Sequence, residues 1–362
     1  MLVSNSQVLE FFRGKKVFIT GHTGFKGSWL SLLLTNAGAT VKGYALAPDH
    51  ADSLFENLAK KLDMESVIAD IRDENKLQSE IESFQPEFIF HLAAQPLVRY
   101  SYVLPLMTFE VNVLGTIHVL EAMRKAKHAC TAVIVTTDKV YENNESGKPF
   151  VESDPLGGHD PYSSSKAAAE IVCQSYSKSF FPPANYTEHQ KAIATARAGN
   201  VIGGGDRSSD RIIPDLVNSL EKGLELKLRN PEAVRPWQHV LDPLTGYLKL
   251  AFMLHADPNK YAGGYNFGPY PEDQLSVKEL VELAIKTHGT GTYKVTPPTQ
   301  QLHEASHLRL DITKALTHLD WKPKWNAKEA VERTMRWYGG NFRKNSSAFD
   351  LCTNDINAFM NS

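Results

Sequence analysis

Cysteine is scarce: Cys130, Cys173 and Cys352 are the only three in 362 residues, far apart and without a C-x-x-C pair. That excludes a disulfide framework, and unpaired thiols suit a reducing cytoplasm. Long apolar runs are also missing. None approaches the roughly 20 residues that cross a bilayer. The first twelve residues lack the basic start and apolar core of a secretion signal. The expectation is a soluble, cytoplasmic protein with no membrane partner. Charge of one sign is absent too, since 39 Lys and Arg stand against 41 Asp and Glu. A balanced chain has no general affinity for nucleic acid or anionic lipid, so any anion it binds must be held locally.

What the chain does have is alternation. Apolar runs at 16–20, 40–46, 66–69, 88–92, 132–135 and 192–197 read as strands. Helical patterns at 28–34, 74–84, 106–125 and 162–180 lie between them. The strands are too apolar for a sheet with one wet face, which predicts an α/β fold with a doubly wound parallel sheet of Rossmann type. After about residue 200 the rhythm changes to a glycine loop, helices near 211–223 and 243–255, and pieces rich in Pro, Gly and aromatics. We assign 1–200 to the dinucleotide-binding domain, with room for one more strand from 235–270. Residues 201–340 read as a smaller substrate-binding lobe over the strand ends, and 341–362 as a C-terminal tail.

The first strand runs into Thr20-Gly21-His22-Thr23-Gly24-Phe25-Lys26-Gly27, a G-x-x-G-x-x-G loop opening a helix. Glycines there allow a tight turn and close backbone approach, and the helix N-terminus faces the pyrophosphate of a dinucleotide. Gly21, Thr23, Gly24, Phe25 and Gly27 are therefore cofactor candidates. The loop is not a phosphate-binding loop of the G-x-x-x-x-G-K-[ST] type, because Lys26 precedes Gly27. Asp70 and Ile71 follow the third strand, where a carboxylate and an amide can meet an adenine edge, although a helix-capping run reads equally well. Ala93 and Ala94 offer small side chains beside a cofactor ribose. The tip of the second strand, Ala45 to Asp49, carries neither an acid at its end nor an arginine cluster, and does not decide between NAD and NADP.

Tyr162 and Lys166 stand one helical turn apart, so both project from one helix face. A cation beside a phenol lowers its pKa from about 10, which makes Tyr162 a candidate base for a hydroxyl group and predicts NAD(P)-linked oxidation. Thr137-Asp138-Lys139 adds an acid and an amine, which alcohol oxidation alone does not need. Asn200, Arg211, Arg235 and Arg309 are the candidates for holding substrate; Arg235 lies in Arg235-Pro236-Trp237, where rigid neighbours suit phosphate recognition. His303-Glu304-Ala305-Ser306-His307 matches a zinc-peptidase pattern, with Glu329 downstream, but Pro297-Pro298 precede it where a long helix is needed. We expect no metal.

Together these residues resemble the extended short-chain dehydrogenase/reductase family over about residues 15 to 340. The resemblance rests on Thr20-Gly21-x-x-Gly24-x-x-Gly27, His91-Leu92-Ala93-Ala94, Asn112 in Val111-Asn112-Val113-Leu114-Gly115-Thr116, and Tyr162-x-x-x-Lys166. Thr137-Asp138 before the tyrosine is similar to the nucleotide-sugar 4,6-dehydratases. The resemblance implies NAD as cofactor, Asn112 in the cofactor site, CDP-D-glucose as substrate, and homodimers or homotetramers built on helix pairs. It also implies a place in deoxysugar assembly for surface polysaccharide such as O-antigen. The broader dehydratases carry Asp-Glu where this chain has Asp138-Lys139, and that glutamate is their C5 base. Lys139 is the candidate base here, with a charged, enolate-stabilising Lys139 as the alternative. A nucleotide-sugar 4-epimerase and a non-catalytic dinucleotide-binding regulator are the competing readings.

Overall fold

Seven parallel strands form the centre of the molecule. The structure, a computed structural model, describes residues 3–145, 147–296, 308–339 and 346–362. The strands are β1 (Lys16–Thr20), β2 (Thr40–Ala45), β3 (Met64–Ile68), β4 (Phe88–His91), β5 (Cys130–Val135), β6 (Lys191–Ala198) and β7 (Gly263–Phe267). Their order across the sheet is β7-β6-β5-β4-β1-β2-β3. The chain winds outward from β1 to β3, crosses back to β4, and winds the other way. β1 and β4 thus lie side by side with connections leaving in opposite directions, which opens a crevice at their carboxyl ends.

Side-chain alternation along each strand supplies two apolar faces. Val17, Ile19, Phe88, Phe90, Val133 and Val135 meet helices Phe25–Asn36 and Leu241–Ala256 on one side. Phe18, Ile89, Ala132 and Ile134 meet Leu77, Ile81, Val119 and Met123 on the other. β5 and β6 are buried along their whole lengths. Burying both faces is what the near-continuous apolar runs in the sequence required.

Three differences from the sequence expectations bear on the site. The first crossover helix begins at Phe25 rather than Ser28, so Phe25, Lys26 and Gly27 form its opening turn. The helix expected over 106–125 is three pieces: Pro105–Phe109, a π-helical turn at Glu110–Leu114, and Gly115–Lys125. The wider turn directs Asn112 inward, where it is fully buried. The segment after 340 carries a docked helix, Ala348–Asn361, started by a Ser347 capping box.

Beyond Ala198 the chain builds three two-stranded pairings outside the central sheet: Val201–Ile202 with Gln238–His239, Val234–Arg235 with Leu275–Ser276, and Leu226–Leu228 with Tyr293–Val295. Among the described residues no helix is long and apolar enough to cross a membrane. Cys130, Cys173 and Cys352 are free and buried.

The C-terminal helix is anchored by Phe359, fully buried with its ring edge-on to Trp325 at 4.9 Å, and by Lys324 Nζ donating to the Phe359 carbonyl at 2.7 Å. Phe359→Ala should cost about 3 to 5 kcal/mol in urea unfolding. A cost below about 1 kcal/mol would contradict a core role for this helix.

Candidate active site

The glycine loop closes because two of its members have no side chain. Gly21 has φ of +77°, and a Cβ there would stand 2.6 Å from the Ala93 nitrogen. A Cβ on Gly27 would stand 2.1 Å from the Gly21 carbonyl oxygen. Thr20 Oγ1 accepts from the nitrogens of Leu92 and Ala93 at 3.2 Å each, and meets His91 Nδ1 at 2.7 Å. The end of β4 is thereby drawn against the loop, and burial pushes His91 down to about 3, so its ring is neutral. The helix Phe25–Asn36 starts at Gly24 without a side-chain cap. Its first turn opens into a cleft of about 1110 Å³ at the carboxyl edge of the sheet. An uncapped N-terminus facing a cavity, at a backbone too tight for any Cβ, fits a dinucleotide pyrophosphate.

Gly21, Thr23, Gly24, Phe25, Gly27, Asp70, Ile71, Ala93 and Ala94 all line that cleft. Thr23 donates to the Leu46 carbonyl at 2.9 Å, tying the loop to the end of β2. Asp70 accepts from Arg72 through backbone and guanidinium, and these bonds hold its carboxyl below its ordinary value. The helix cap nearby is Asp73, whose side chain accepts from Lys76, so the capping alternative belongs to Asp73. Asn112 does not reach the cleft. Its amide is consumed by the Gln95 nitrogen at 2.9 Å, the Gln95 carbonyl at 3.1 Å and Ser165 Oγ at 2.8 Å. The cofactor role expected for Asn112 becomes a bracing one, because Ser165 lies on the helix that carries Tyr162 and Lys166.

That helix, Pro161–Ser179, is capped by Asp160. Tyr162 and Lys166 both line the cleft, as do Thr137, Asp138 and Lys139 from the turn after β5. The Thr137 hydroxyl donates to Asp138 Oδ1 at 3.0 Å, and Lys139 Nζ donates to the same oxygen at 3.0 Å. Asp138 is fully buried, while the Lys139 side chain is 31% exposed. Lys166, expected to draw the phenol toward neutrality, is not among the largest influences on it. Burial raises Tyr162 above its ordinary value, and the strongest opposing influences are the charge of Lys139 and a hydrogen bond with Thr137. The Lys166 ammonium instead donates to the Val135 carbonyl at 3.1 Å, and burial pushes it down to about 8.

Beneath these groups lies a charged pair that the sequence reading missed. Glu170, one turn beyond Lys166, is buried against Arg197 of β6, with guanidinium–carboxylate bonds of 2.8 and 3.0 Å. Thr136 of the β5 end donates to Glu170 at 2.6 Å and Thr195 donates to it at 2.7 Å. Arg197 also donates to the Tyr141 hydroxyl, which donates to Asn266 of β7 at 2.6 Å. Every member is satisfied, as a buried ionic network must be.

On the substrate side, Asn200, Arg211 and Arg235 line the cleft; Arg211 pairs with Asp206 at 3.0 Å. Arg309 does not join them. It is exposed and borders a separate small cleft with Pro236, Gln238 and Tyr270, because its backbone pairs with Phe150 on the far side of Gly199. Lys26, Arg99 and Arg229 line the main cleft and were not read as site residues. Lys26 projects from the opening helical turn toward the Tyr247 ring, 5.9 Å away, and burial, then the neighbouring Arg211, pushes it down to about 7. Its place as the second residue of an uncapped helix was the available signal. The His303–His307 pattern lies outside the described residues; Glu329 bonds Arg333 at 2.6 Å. Among the described residues no group of three or more His, Cys, Asp or Glu is arranged to hold a metal.

A family model described as GDP-mannose 4,6 dehydratase matches residues 18–334. The chain is 47% identical to CDP-glucose 4,6-dehydratase of Salmonella typhimurium over 329 residues, 91% of this chain and 92% of that protein. It is 27% identical to CDP-paratose 2-epimerase of Salmonella typhi over 89% of this chain and 98% of that one. Among solved structures, DesIV, a dTDP-glucose 4,6-dehydratase of Streptomyces venezuelae with NAD and TYD bound, matches with a TM-score of 0.75 at 26% identity, covering 91% of this chain and 97% of that chain.

Removing one partner of the buried pair leaves the other charge stranded. Arg197→Met should lower unfolding free energy by about 3 to 5 kcal/mol in urea titration. A loss within about 0.5 kcal/mol, typical of surface sites, would contradict the network's structural role.

Proposed function

The chain belongs to the GDP-mannose 4,6 dehydratase family, and from that premise we propose that it is an NAD-dependent nucleotide-sugar 4,6-dehydratase acting on CDP-D-glucose. The product is CDP-4-keto-6-deoxy-D-glucose. The carrying observation is the contact of Asp138 with both Thr137 and Lys139 in the cleft that holds Tyr162. A 4-epimerase needs the Tyr–Lys pair alone, and a non-catalytic regulator needs neither; an acid touching an amine serves elimination. The relative at 47% identity supports the CDP-sugar.

Gly21, Gly24, Gly27 and the first turn of helix Phe25–Asn36 would hold the NAD pyrophosphate, with Asp70 and Ile71 toward the adenine. Bound there, NAD would supply a hydride acceptor for C4 and, once reduced, a hydride donor for C6. Tyr162, as the phenolate that the Lys139 cation favours, removes the O4 proton. The resulting C4 ketone acidifies C5–H, which Lys139 removes as Asp138 protonates O6 and water leaves. For that step the Asp138–Lys139 pair must be in its neutral form, acid beside amine, which differs from the ion pair by the position of one proton across 3.0 Å. Lys139 then returns its proton to C5. Tyr162 ends with one proton gained and Asp138 with one lost. One proton passed from Tyr162 back to Asp138 resets the cycle.

Residues 1–200 with β7 would serve as the cofactor domain and 201–340 as the substrate lobe. The free thiols suit cytoplasmic work, and the product suits deoxysugar assembly for surface polysaccharide such as O-antigen. Val103, Leu106, Leu114, Ile171 and Phe180 are exposed apolar side chains on neighbouring helices, the kind of face a second copy covers in a homodimer or homotetramer. Leu106→Glu should then shift the sedimentation coefficient toward monomer; an unchanged coefficient contradicts this interface.

Incubation with NAD and CDP-, dTDP-, UDP- and GDP-sugars should give loss of one water, read by mass spectrometry, fastest with CDP-D-glucose. Epimerised sugar without water loss would overturn the proposal. Asp138→Asn should keep C4 oxidation and slow water loss by about 10² to 10⁴-fold. Lys139→Met should lose deuterium exchange at C5. Because Lys139 is the cation that lowers Tyr162, the same variant should also need a higher pH for C4 oxidation. Normal C5 exchange, or an unmoved pH profile, would assign Lys139 another role.

A further inference from the structure

The two carboxyl oxygens of Asp138 have unlike surroundings. Oδ1 is fixed by two donors, Thr137 and Lys139. Oδ2 is buried with no hydrogen-bond partner. Oδ2 lies in the space that a side chain on Gly199, just after β6, would fill. A Cβ at position 199 would stand 2.5 Å from Oδ2 of Asp138, closer than real side chains pack, and a tight 3.2 Å from its Cγ. The methyl could not move aside freely, because Pro236 Cγ already lies 3.5 Å from the same point. Nor could the carboxyl swing away without breaking the bonds that Oδ1 makes. Any side chain at 199 therefore moves the acid.

We propose that Gly199 is a positioning residue for dehydration: its missing side chain is the space that holds the Asp138 carboxyl where it can protonate the sugar's O6. The proposal rests on the dehydratase reading above. In that step the carboxyl proton passes to O6, the C6–O6 bond breaks, and the C5–H electron pair becomes the C5=C6 double bond as Lys139 takes the proton. C4 oxidation depends on Tyr162, which a different element carries and on which the Asp138 charge is a lesser influence, so a change at 199 falls mainly on dehydration.

The test uses full-length Gly199→Ala with NAD and CDP-D-glucose in single turnover. Reduced nicotinamide should form within about threefold of the wild-type rate and persist, while water loss falls by about 10²-fold or more. Unchanged water loss, or equal slowing of both steps, overturns the proposal. A second readout covers a variant that folds poorly. Gly199→Ala should lower the melting temperature in the wild-type background and leave it unchanged in an Asp138→Ala background, where the carboxyl is gone. The same drop in both backgrounds overturns the proposal. A wild-type protein that removes no water from CDP-D-glucose sinks the functional reading itself, whereas wild-type dehydration matched by the variant sinks Gly199 alone.

Discussion

The buried pairing of Glu170 with Arg197 is the constraint on which the site depends. Glu170 belongs to the helix that presents Tyr162 and Lys166, and Arg197 to β6. The same carboxylate receives Thr136, the residue before Thr137, and through Tyr141 the arginine reaches Asn266 of β7. One ionic cluster thus sets the distance between the helix carrying the base and the turn carrying the acid. Such a cluster is a costly way to gain stability and an effective way to fix geometry, since no member can shift without stranding a charge. Asn112 adds a second brace from the π-helical turn through Ser165.

In the proposed reaction this fixed spacing lets one cleft run two kinds of chemistry. Oxidation at C4 needs a base at O4, and elimination needs an acid and a base across C5 and C6. Thr137 is hydrogen-bonded to Asp138 and also favours the Tyr162 phenolate, so it links the two sets. Lys139 also serves both, as the partner of Asp138 and as the cation that most lowers the Tyr162 phenol. The extra groups are therefore coupled to the base they sit beside, through the charge of Lys139 and the Thr137–Asp138 bond.

Much of this was legible in the sequence because it follows from local pattern. Apolar runs without polar alternation announce a sheet buried on both faces, and glycines at a strand–helix junction announce a dinucleotide loop. Tyr162 and Lys166 sit at a helical spacing, and Thr137-Asp138-Lys139 are neighbours in the chain. Three-dimensional dependencies were not legible. Glu170 and Arg197 are 27 residues apart, and nothing local marks them as a pair. The burial that raises Tyr162 against its cation, the π-helical turn that hides Asn112, and the Oδ2–Gly199 contact all depend on packing between distant segments. Arg309 failed for the same reason: its position is set by a pairing with Phe150 that no motif encodes.

The central claim is that a single cleft oxidises C4, removes water and returns the same hydride to C6. Its most direct test is turnover of CDP-D-glucose carrying deuterium at C4, with the label located in the product by mass spectrometry and NMR. The account predicts a product lighter by one water with deuterium at C6. Deuterium retained at C4 of an epimer, or lost to solvent, would contradict it.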